Sequence, residues 1–528
     1  MGEVPKMPGY HPSVHAKTQP DHLALVIADT GETLTYRQLD EGSNRVAQLL
    51  RSLGLQPGDR IGVMMRNSPW FPIVYWGATR CGVFVTLLST HLKPEEAAYI
   101  LNDSGSKALV LSASLGNTPK ALAAGQDELI PGVQAIFYAD NEAIAGATSL
   151  DTALAPMPAE PVSDQISGFH MIYSSGTTGR PKGIVLPFTP GPIDEFNALE
   201  GAMPAYEQMK PLVSLNVGPL YHGAPLSGMV VAQRLGGTFV TQRKFDAEGV
   251  LRAVQDHKVN IGQFVPTMFV RILALPDDVR LSYDMSSLKL AIHAAAPCPV
   301  EIKRRMIEWL GPVIFEYYGS TEGVGATAIT SEEWLKKPGS VGKTSLGPIH
   351  ICDEGGRELS AGESGVIYFE ALPGRGVNYL NDAEKTRGAS HPNHADWFTV
   401  GDIGKLDEDG YLFLTDRKDF MIISGGVNIY PQAIEDALIV HPKVLDVAVI
   451  GVANPEYGEE VKAIVQPKDW ADAGPELEAE LRDWLSTRIS RVTQPRSYEF
   501  VQELPRIPSG KLAKHELRKL YGNPVAVV

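Results

Sequence analysis

Helical and extended patterns alternate along the first half of the chain, and this alternation restricts the fold more than any other feature. In residues 33–65, apolar side chains recur at helical spacing, at Leu39, Val46, Leu49 and Leu50. Thr35 and Asp40 are candidate helix N-caps, and Gly54 marks the end of the helix. Residues 60–65 are then typical of a short buried strand.

The same succession of helix and strand recurs in residues 69–88 and 95–114, and a second run covers residues 224–267. Repeated units of this kind predict a parallel or mixed sheet that is covered by helices. The two runs therefore predict two α/β lobes.

The pattern changes from about residue 340 onward. Residues 342–371 combine short extended stretches with Gly-rich turns, which predicts a small β-lobe. The tail that follows alternates amphipathic helices with strands, and its roughly 110 residues are enough for a domain of its own. We place the domain boundary at residues 416–419.

The charge and the cysteine content narrow the class of function. With 47 basic and 62 acidic residues, the formal net charge is −15, which argues against a nucleic-acid-binding protein. The three cysteines, Cys81, Cys298 and Cys352, lie far apart and predict neither a disulfide framework nor a zinc site. No apolar run reaches the ~20 residues of a membrane-spanning helix, and the first residues lack the apolar region of a signal peptide. We expect a cytoplasmic protein.

Residues 173–183 read YSSGTTGRPKG and combine three glycines, four Ser/Thr hydroxyls and one lysine. The common phosphate-binding motif G-x-x-x-x-G-K-[ST] does not fit, because Pro181 stands where its second glycine belongs and Gly183 follows Lys182. Converging backbone N–H groups, hydroxyls and the lysine ammonium group nevertheless suit an anion. A flexible surface loop is the alternative interpretation of this composition.

Four further motifs follow the loop: YYGSTEG at 317–323, GDIGKLDEDGYL at 401–412, TDRKDFMIISGGVNIYP at 415–431 and PRIPSGKL at 505–512. Each of them alone is compatible with an ordinary turn or hairpin. Five such motifs in one order are much more specific.

In this order and at these separations, the five motifs resemble the adenylate-forming superfamily, which includes acyl-CoA synthetases, peptide-synthetase adenylation domains and beetle luciferases. The resemblance covers nearly the whole chain, from about residue 20 to 520. It implies an α/β protein whose large N-terminal domain, residues 1–416, has two α/β sublobes and a small β-lobe. A hinge at 417–419 would join it to a small, mobile α+β C-terminal domain, residues 420–528.

The resemblance also implies roles for individual residues. Those that would bind ATP or AMP are Ser174, Ser175, Gly176, Thr177, Thr178, Gly179, Lys182, Ala294, Ala295, Ala296, Tyr318, Gly319, Thr321, Asp402 and Arg417. Asp402 would accept both ribose hydroxyls, and Glu322 would bind Mg²⁺. Lys511 would bridge the substrate carboxylate and the α-phosphate, with Glu322 and Thr178 as further catalytic residues. Asp419 would be the hinge residue.

The acyl and CoA sites are less specific in sequence. Candidates for the acyl pocket are Tyr221, His222 and His293, although a structural histidine is an equally good interpretation of His222. The segment ISGGVNIYP resembles the part of the family near the thiol tunnel, which implicates Ser424, Gly425 and Gly426. Small residues around 223–228 and 294–296 favour a roomy apolar pocket, and hence a fatty, aryl-aliphatic or steroid-side-chain acid.

The sequence therefore predicts an ATP-dependent carboxylate–CoA ligase that uses Mg²⁺ and takes a small-molecule carboxylic acid, ATP and CoA. An adenylating ligase that passes the acyl group to an amine or to a carrier-protein thiol is the alternative. A nucleotide-binding protein without catalysis is a third interpretation, which the presence of both Glu322 and Lys511 disfavours. The sequence is compatible with an oligomer and does not identify the acid.

Overall fold

A computed structural model describes residues 9–140, 142–174, 181–196, 203–417, 420–506 and 512–522. The chain forms two compact units. The first unit comprises Met1–Phe264, Asp277–Ala291 and Val377–Thr386, and the second comprises Val265–Pro276, Ile292–Gly376 and Arg387–Val528.

The first unit opens with alternating helices and strands. Up to residue 154 they are α1 (Pro12–Thr18), β1 (Leu23–Ile27), β2 (Glu32–Thr35), α2 (Tyr36–Ser52), β3 (Arg60–Met64), α3 (Trp70–Thr79), β4 (Phe84–Leu87), α4 (Pro94–Ser104), β5 (Ser106–Ser112), α5 (Asn117–Ala124), α6 (Gln126–Leu129), β6 (Ala135–Ala139), β7 (Thr148–Ser149) and α7 (Leu150–Leu154). Up to residue 264 they continue with β8 (His170–Ser174), β9 (Lys182–Ile184), α8 (Met203–Glu207), β10 (Val213–Asn216), α9 (Gly223–Arg234), β11 (Thr238–Thr241), α10 (Ala247–His257) and β12 (Ile261–Phe264).

These strands form two largely parallel arrays. One has the order β7-β6-β5-β3-β4-β8-β9, in which only the β8–β9 pair is antiparallel. The other contains β12-β10-β11-β1-β2, in which only β1–β2 is antiparallel. The prediction of two α/β lobes is confirmed.

Helix α2 shows how closely the local sequence determines an element. Thr35 caps it: its Oγ1 accepts a hydrogen bond from the Gln38 amide at 3.2 Å, and the Gln38 side chain accepts one from the Thr35 amide at 2.9 Å. The predicted apolar stripe is buried. The suggestion that Asp40 is an N-cap is wrong, because Asp40 lies inside the helix and pairs with Arg80 at 2.9 Å.

The next stretch of chain belongs to the second unit, except for Asp277–Ala291, which belongs to the first. It contains α11 (Pro266–Leu273), α12 (Asp277–Arg280), β13 (Leu290–His293), α13 (Val300–Leu310), β14 (Ile314–Gly319), β15 (Ala326–Thr330), α14 (Ser331–Lys336) and β16 (Lys343–Leu346). Strands β14, β15 and β16 pair antiparallel in that order. Helix α14 starts with a second capping box, between Thr330 and Glu333.

The predicted β-lobe is a separate antiparallel sheet. Its elements are β17 (Ile349–Cys352), β18 (Gly365–Glu370), α15 (Ala383–Gly388), β19 (Trp397–Phe398), β20 (Asp402–Leu406) and β21 (Leu412–Arg417). The strand order is β17-β18-β20-β21, and β19 pairs with β18. This part of the fold is also as predicted.

The tail is α+β, as predicted, with β22 (Ile422–Ser424), β23 (Val427–Ile429), α16 (Pro431–Ile439), β24 (Val444–Asn454), β25 (Gly458–Pro467), α17 (Pro475–Ser486), β26 (Ser497–Phe500) and α18 (Lys514–Tyr521). Alternate side chains of β24 enter two apolar clusters. Val447 and Val449 pack with residues of α16 and α17, whereas Ala448 and Ile450 pack with Leu517 of α18. The sheet is therefore covered on both faces.

No helix among the described residues combines the length and the apolar character that crossing a bilayer requires.

Candidate active site

The predicted anion loop begins and ends in a hairpin of the first unit. Strands β8 and β9 pair antiparallel, with Tyr173 opposite Gly183 and Ser174 opposite Lys182. The chain segments on either side of the loop therefore lie next to each other. The other predicted loop ligands lie outside the described residues, and these are Ser175, Gly176, Thr177, Thr178 and Gly179.

Two contacts within the first unit fix this hairpin. The hydroxyl of Tyr173 donates a 2.7 Å hydrogen bond to Oδ2 of Asp103. The Lys182 ammonium nitrogen lies 5.2 Å from the ring centroid of Tyr379, a distance at which cation and ring attract. Gly183 has a packing role, because a Cβ atom there would lie 2.9 Å from Cζ of Tyr173.

The segment that the resemblance assigns to the adenine, residues 293–299, starts at the last residue of β13 and lies in the second unit. Ala294 is buried, whereas Ala295 is exposed and has a φ of +76°. Residues other than glycine rarely adopt this left-handed conformation. Backbone strain of this kind is typical of ligand-binding segments.

Tyr318 and Asp402, which are far apart in sequence, meet in the second unit. The Tyr318 hydroxyl donates a 2.6 Å hydrogen bond to Oδ2 of Asp402. In the β20–β21 ladder Asp402 lies opposite Arg417, of which only the backbone is described. An aromatic ring, a carboxylate and the backbone of an arginine are thus brought together.

The turn between β14 and β15 carries three more predicted residues. Gly319 is the last residue of β14 and lies opposite Ala326 of β15. Thr321 is exposed in the turn, and Glu322 next to it is partly buried. Glu322 offers a carboxylate oxygen, which is the kind of ligand that Mg²⁺ prefers.

Sequence reasoning missed a buried ion pair in the second unit. Nζ of Lys303 on α13 lies 2.5 Å from Oε2 of Glu316 on β14. Two signals were available. Lys303 shares the buried face of α13 with Ile302 and Met306, and Glu316 stands at an inward position of an apolar strand. A charge at a core position usually has a buried partner.

Of the acyl-pocket candidates, Tyr221 and His222 lie at the start of α9 in the first unit. The buried Tyr221 hydroxyl accepts a 3.1 Å hydrogen bond from Oγ1 of Thr90, and burial raises the pKa of Tyr221. The Tyr221 and His222 rings are 4.7 Å apart between centroids. The third candidate, His293, is fully buried in the second unit, where its ring packs against Phe269 at 5.4 Å between centroids.

The candidates for the CoA tunnel form the tip of the β22–β23 hairpin, with Ser424 opposite Val427. Gly425 and Gly426 both have positive φ, +56° and +79°. Two such residues in succession define a tight hairpin turn that strongly favours glycine. The predicted hinge residue Asp419 and the predicted catalytic Lys511 lie outside the described residues.

Two known family models match the chain. The family model for the AMP-binding enzyme matches residues 13–372, and the model for the AMP-binding enzyme C-terminal domain matches residues 433–511. The chain belongs to the AMP-binding enzyme family. It is a member of the adenylate-forming superfamily of the acyl-CoA synthetase type, as its motifs predicted.

Two curated relatives of this AMP-binding enzyme match over nearly their whole length. The long-chain-fatty-acid–CoA ligase FadD13 of Mycobacterium tuberculosis is 31% identical over 522 residues, which cover 97% of each chain. The feruloyl-CoA synthase of an Amycolatopsis species is 33% identical over 505 residues, 94% of this chain and 96% of that one.

Solved structures of the family share the fold. The anthranilate CoA ligase AuaEII in complex with anthranoyl-AMP superimposes with a TM-score of 0.80 at 24% identity and covers 99% of both chains. The large N-terminal and small C-terminal domains of the prediction are thus shown. The enzyme is an AMP-forming acid–thiol ligase.

Proposed function

We propose that this enzyme joins a hydrophobic carboxylic acid to CoA through an acyl-AMP intermediate. The observation that carries the nucleotide site is the 2.6 Å hydrogen bond from Tyr318 to Asp402, with Arg417 opposite Asp402 in the strand ladder. Asp402 has the acceptor oxygens that two ribose hydroxyls need, and Tyr318 offers a ring face for the adenine.

In the first half-reaction, a carboxylate oxygen of the acid attacks the α-phosphorus of ATP. The bond from that phosphorus to the bridging oxygen breaks, and pyrophosphate leaves. The acid is already ionised near neutral pH, so this step needs no general base. The barrier is repulsion between anions, which positive groups lower by electrostatics and positioning. In this proposal Lys511 serves the α-phosphate, and the loop between Ser174 and Lys182 holds the departing pyrophosphate.

Glu322 is the proposed ligand of Mg²⁺. Its single carboxylate fits that ion, because Mg²⁺ usually takes one or two carboxylates together with phosphate oxygens and water. Bound there, the ion would offset the charge that builds on the phosphates. Thr321, exposed beside Glu322, would offer its hydroxyl to a phosphate oxygen.

In the second half-reaction, the CoA thiolate attacks the acyl carbonyl carbon, the bond from that carbon to the phosphate oxygen breaks, and AMP leaves. Lys511 then has to give way to the thiol. We place the hinge for this exchange at 417–419, with Asp419 as the pivot, and residues 420–528 as the domain that moves. The glycine turn at Gly425 and Gly426 would line the entry of the thiol.

A hydrophobic acid is favoured by the residues around the acyl candidates. Tyr221 is almost fully buried, and Gly223, Ala224 and Gly228 take up little space in α9, which begins two residues after it. Apolar and small side chains of this kind suit a fatty, aryl-aliphatic or steroid-side-chain acid better than a charged one.

A screen of acids tests this function. The exchange of labelled pyrophosphate into ATP is measured with fatty, aryl-aliphatic and steroid-side-chain acids, and with charged dicarboxylic acids as controls. We expect exchange with one hydrophobic class and formation of its CoA thioester when CoA is added. Exchange without CoA consumption would favour transfer to an amine or a carrier-protein thiol. Exchange with the dicarboxylic acids alone would contradict the proposed acid class.

A further inference from the structure

The Lys303–Glu316 pair is buried, and burying two charges costs free energy. The side chains are 0% and 6% exposed, so both charges have lost nearly all contact with water. Removing two ions from water costs about as much as their attraction returns, and such pairs are therefore weak contributors to stability. A buried pair of this kind is better explained by the geometry that it imposes.

The pair lies against the start of the predicted adenine segment, residues 293–299. Nε2 of His293 is 3.6 Å from Oε2 of Glu316. Two residues further along, the segment carries the left-handed backbone of Ala295.

His293 adds a polar but uncharged group to this cluster. Burial and the neighbouring Lys303 charge hold the pKa of His293 well below its usual range, so the ring is neutral at pH 7. Neither ring nitrogen has a hydrogen-bond partner among the described residues. On its other side, the Lys303 ammonium group lies 4.9 Å from the ring centroid of Trp334. Lys303 is thus held between Glu316 and an aromatic ring.

Glu316 also connects the pair to Asp402, the carboxylate that is proposed to bind the ribose. Glu316 and Tyr318 are two residues apart in β14 and therefore point to the same face of the strand. Tyr318 in turn donates its hydrogen bond to Asp402. The buried Glu316 carboxylate thus contacts His293, the residue before Ala294, and shares a strand face with Tyr318.

We infer that Lys303 and Glu316 are positioning residues for the adenosine half of the nucleotide, because Glu316 of strand β14 is paired with Lys303 and contacts His293 at the start of segment 293–299. This inference rests on the proposed nucleotide site. Neither residue has to touch the nucleotide. Without the pair, the strained segment around Ala295 and the Tyr318 ring are no longer held in a fixed relative position. The proposed adenine site between them is then no longer preorganised.

The test uses the full chain with Glu316→Gln, and with the double variant Lys303→Met/Glu316→Gln. The double variant leaves no uncompensated buried charge, and neutral replacements of such pairs usually fold. Asp40→Asn is the control, since it disrupts a partly buried pair in the first unit, in which Asp40 lies 2.9 Å from the buried Arg80. AMP affinity is measured by calorimetry, together with KM for ATP, KM for the acid and the denaturation midpoint.

We expect both Glu316 variants to weaken AMP binding and to raise KM for ATP roughly tenfold, while KM for the acid changes less than about twofold, since misplacement of a binding group acts on the ligand it serves. Asp40→Asn should lower the denaturation midpoint and leave AMP affinity unchanged. A double variant that folds and binds AMP as tightly as the native enzyme would overturn the inference. Calorimetry with AMP needs no acid, so this outcome is independent of whether the proposed acid class is correct.

Discussion

The hydroxyl of Tyr318 lies 2.6 Å from Oδ2 of Asp402, although 84 residues separate the two in sequence. A hydrogen bond to a carboxylate is shorter and stronger than one between neutral groups. The contact holds the end of strand β14 against the first residue of strand β20. It defines the place where a nucleoside can be bound by a ring on one side and a carboxylate on the other.

Tyr318→Phe keeps the ring and removes this hydrogen bond. We expect KM for ATP to rise roughly tenfold, the range of a lost hydrogen bond to a charged group, with a smaller change in kcat. Steady-state kinetics at varied ATP concentration measures the effect. Tyr317→Phe is the matched control, because the neighbouring residue of a strand points to the opposite face. An equal rise of KM in both variants would show that Tyr318 has no special role.

Ala295→Gly should stabilise the protein, whereas Ala296→Gly should destabilise it. Glycine relieves the positive φ of +76° at Ala295, a strain of about 1–2 kcal/mol, and this exceeds the roughly 0.4–1 kcal/mol of added chain entropy in the unfolded state. At position 296 only the entropic cost remains. Urea denaturation measures the change in the free energy of unfolding for each variant, which should be positive for Ala295→Gly and negative for Ala296→Gly. A change in the same direction for both would refute the strain at Ala295.

Tyr318 and Asp402 could be predicted from sequence, whereas the backbone of Ala295 and the Lys303–Glu316 pair could not. Tyr318 and Asp402 could be assigned to the same site because the five motifs in one order are much more specific than any one of them alone. The positive φ of Ala295 was not predictable, since alanine gives no sign of a left-handed backbone. The Lys303–Glu316 pair required knowledge of which face of α13 and which side of β14 are buried.

Local structure was predictable where capping and periodicity agree, as in α2 with Thr35 and Gln38. Asp40 was misread because an aspartate inside a helix looks like a cap until its tertiary partner, Arg80, is known. Gly183 belongs to the loop that suits an anion, and the structure also gives it a packing role beside Tyr173, which its sequence does not indicate. Each of these contacts joins residues that are not neighbours in sequence.

Asp436 should make stability depend on pH. Burial raises the pKa of Asp436 to about 7, against a smaller lowering by the hydrogen bond from the Gln432 side chain. Between about pH 4, where an unfolded aspartate ionises, and pH 7, the folded state keeps a proton that the unfolded state has lost. The stability contributed by this group is therefore complete below about pH 4 and is lost as the pH rises towards 7.

Asp436→Asn should flatten this dependence. Urea midpoints at pH 5 and pH 7.5 measure it, and the native protein should lose more stability between the two pH values than the variant does. Asp483→Asn, on the exposed face of α17, is the control and should retain the native slope. A native slope in Asp436→Asn would mean that other groups set the pH dependence.

Lys511→Ala should separate the two half-reactions. Loss of a preorganised charge at the α-phosphate should slow acyl-adenylate formation on the order of 10²–10³-fold. Thioester formation from a supplied acyl-adenylate should remain within about twofold, because the proposed lysine is withdrawn in that step. Lys519→Ala, on the exposed end of α18, is the control. Equal losses in both steps would contradict the proposal that the C-terminal domain moves between the two half-reactions and withdraws Lys511.

The most direct test of the central claim is the identity of the nucleotide product. Purified enzyme is incubated with ATP, Mg²⁺, CoA and the acid selected by pyrophosphate exchange, and the products are quantified together. The account predicts one AMP and one pyrophosphate for each acyl-CoA formed, with acyl-AMP accumulating when CoA is withheld. Formation of ADP and phosphate, or of acyl-CoA without AMP, would contradict it.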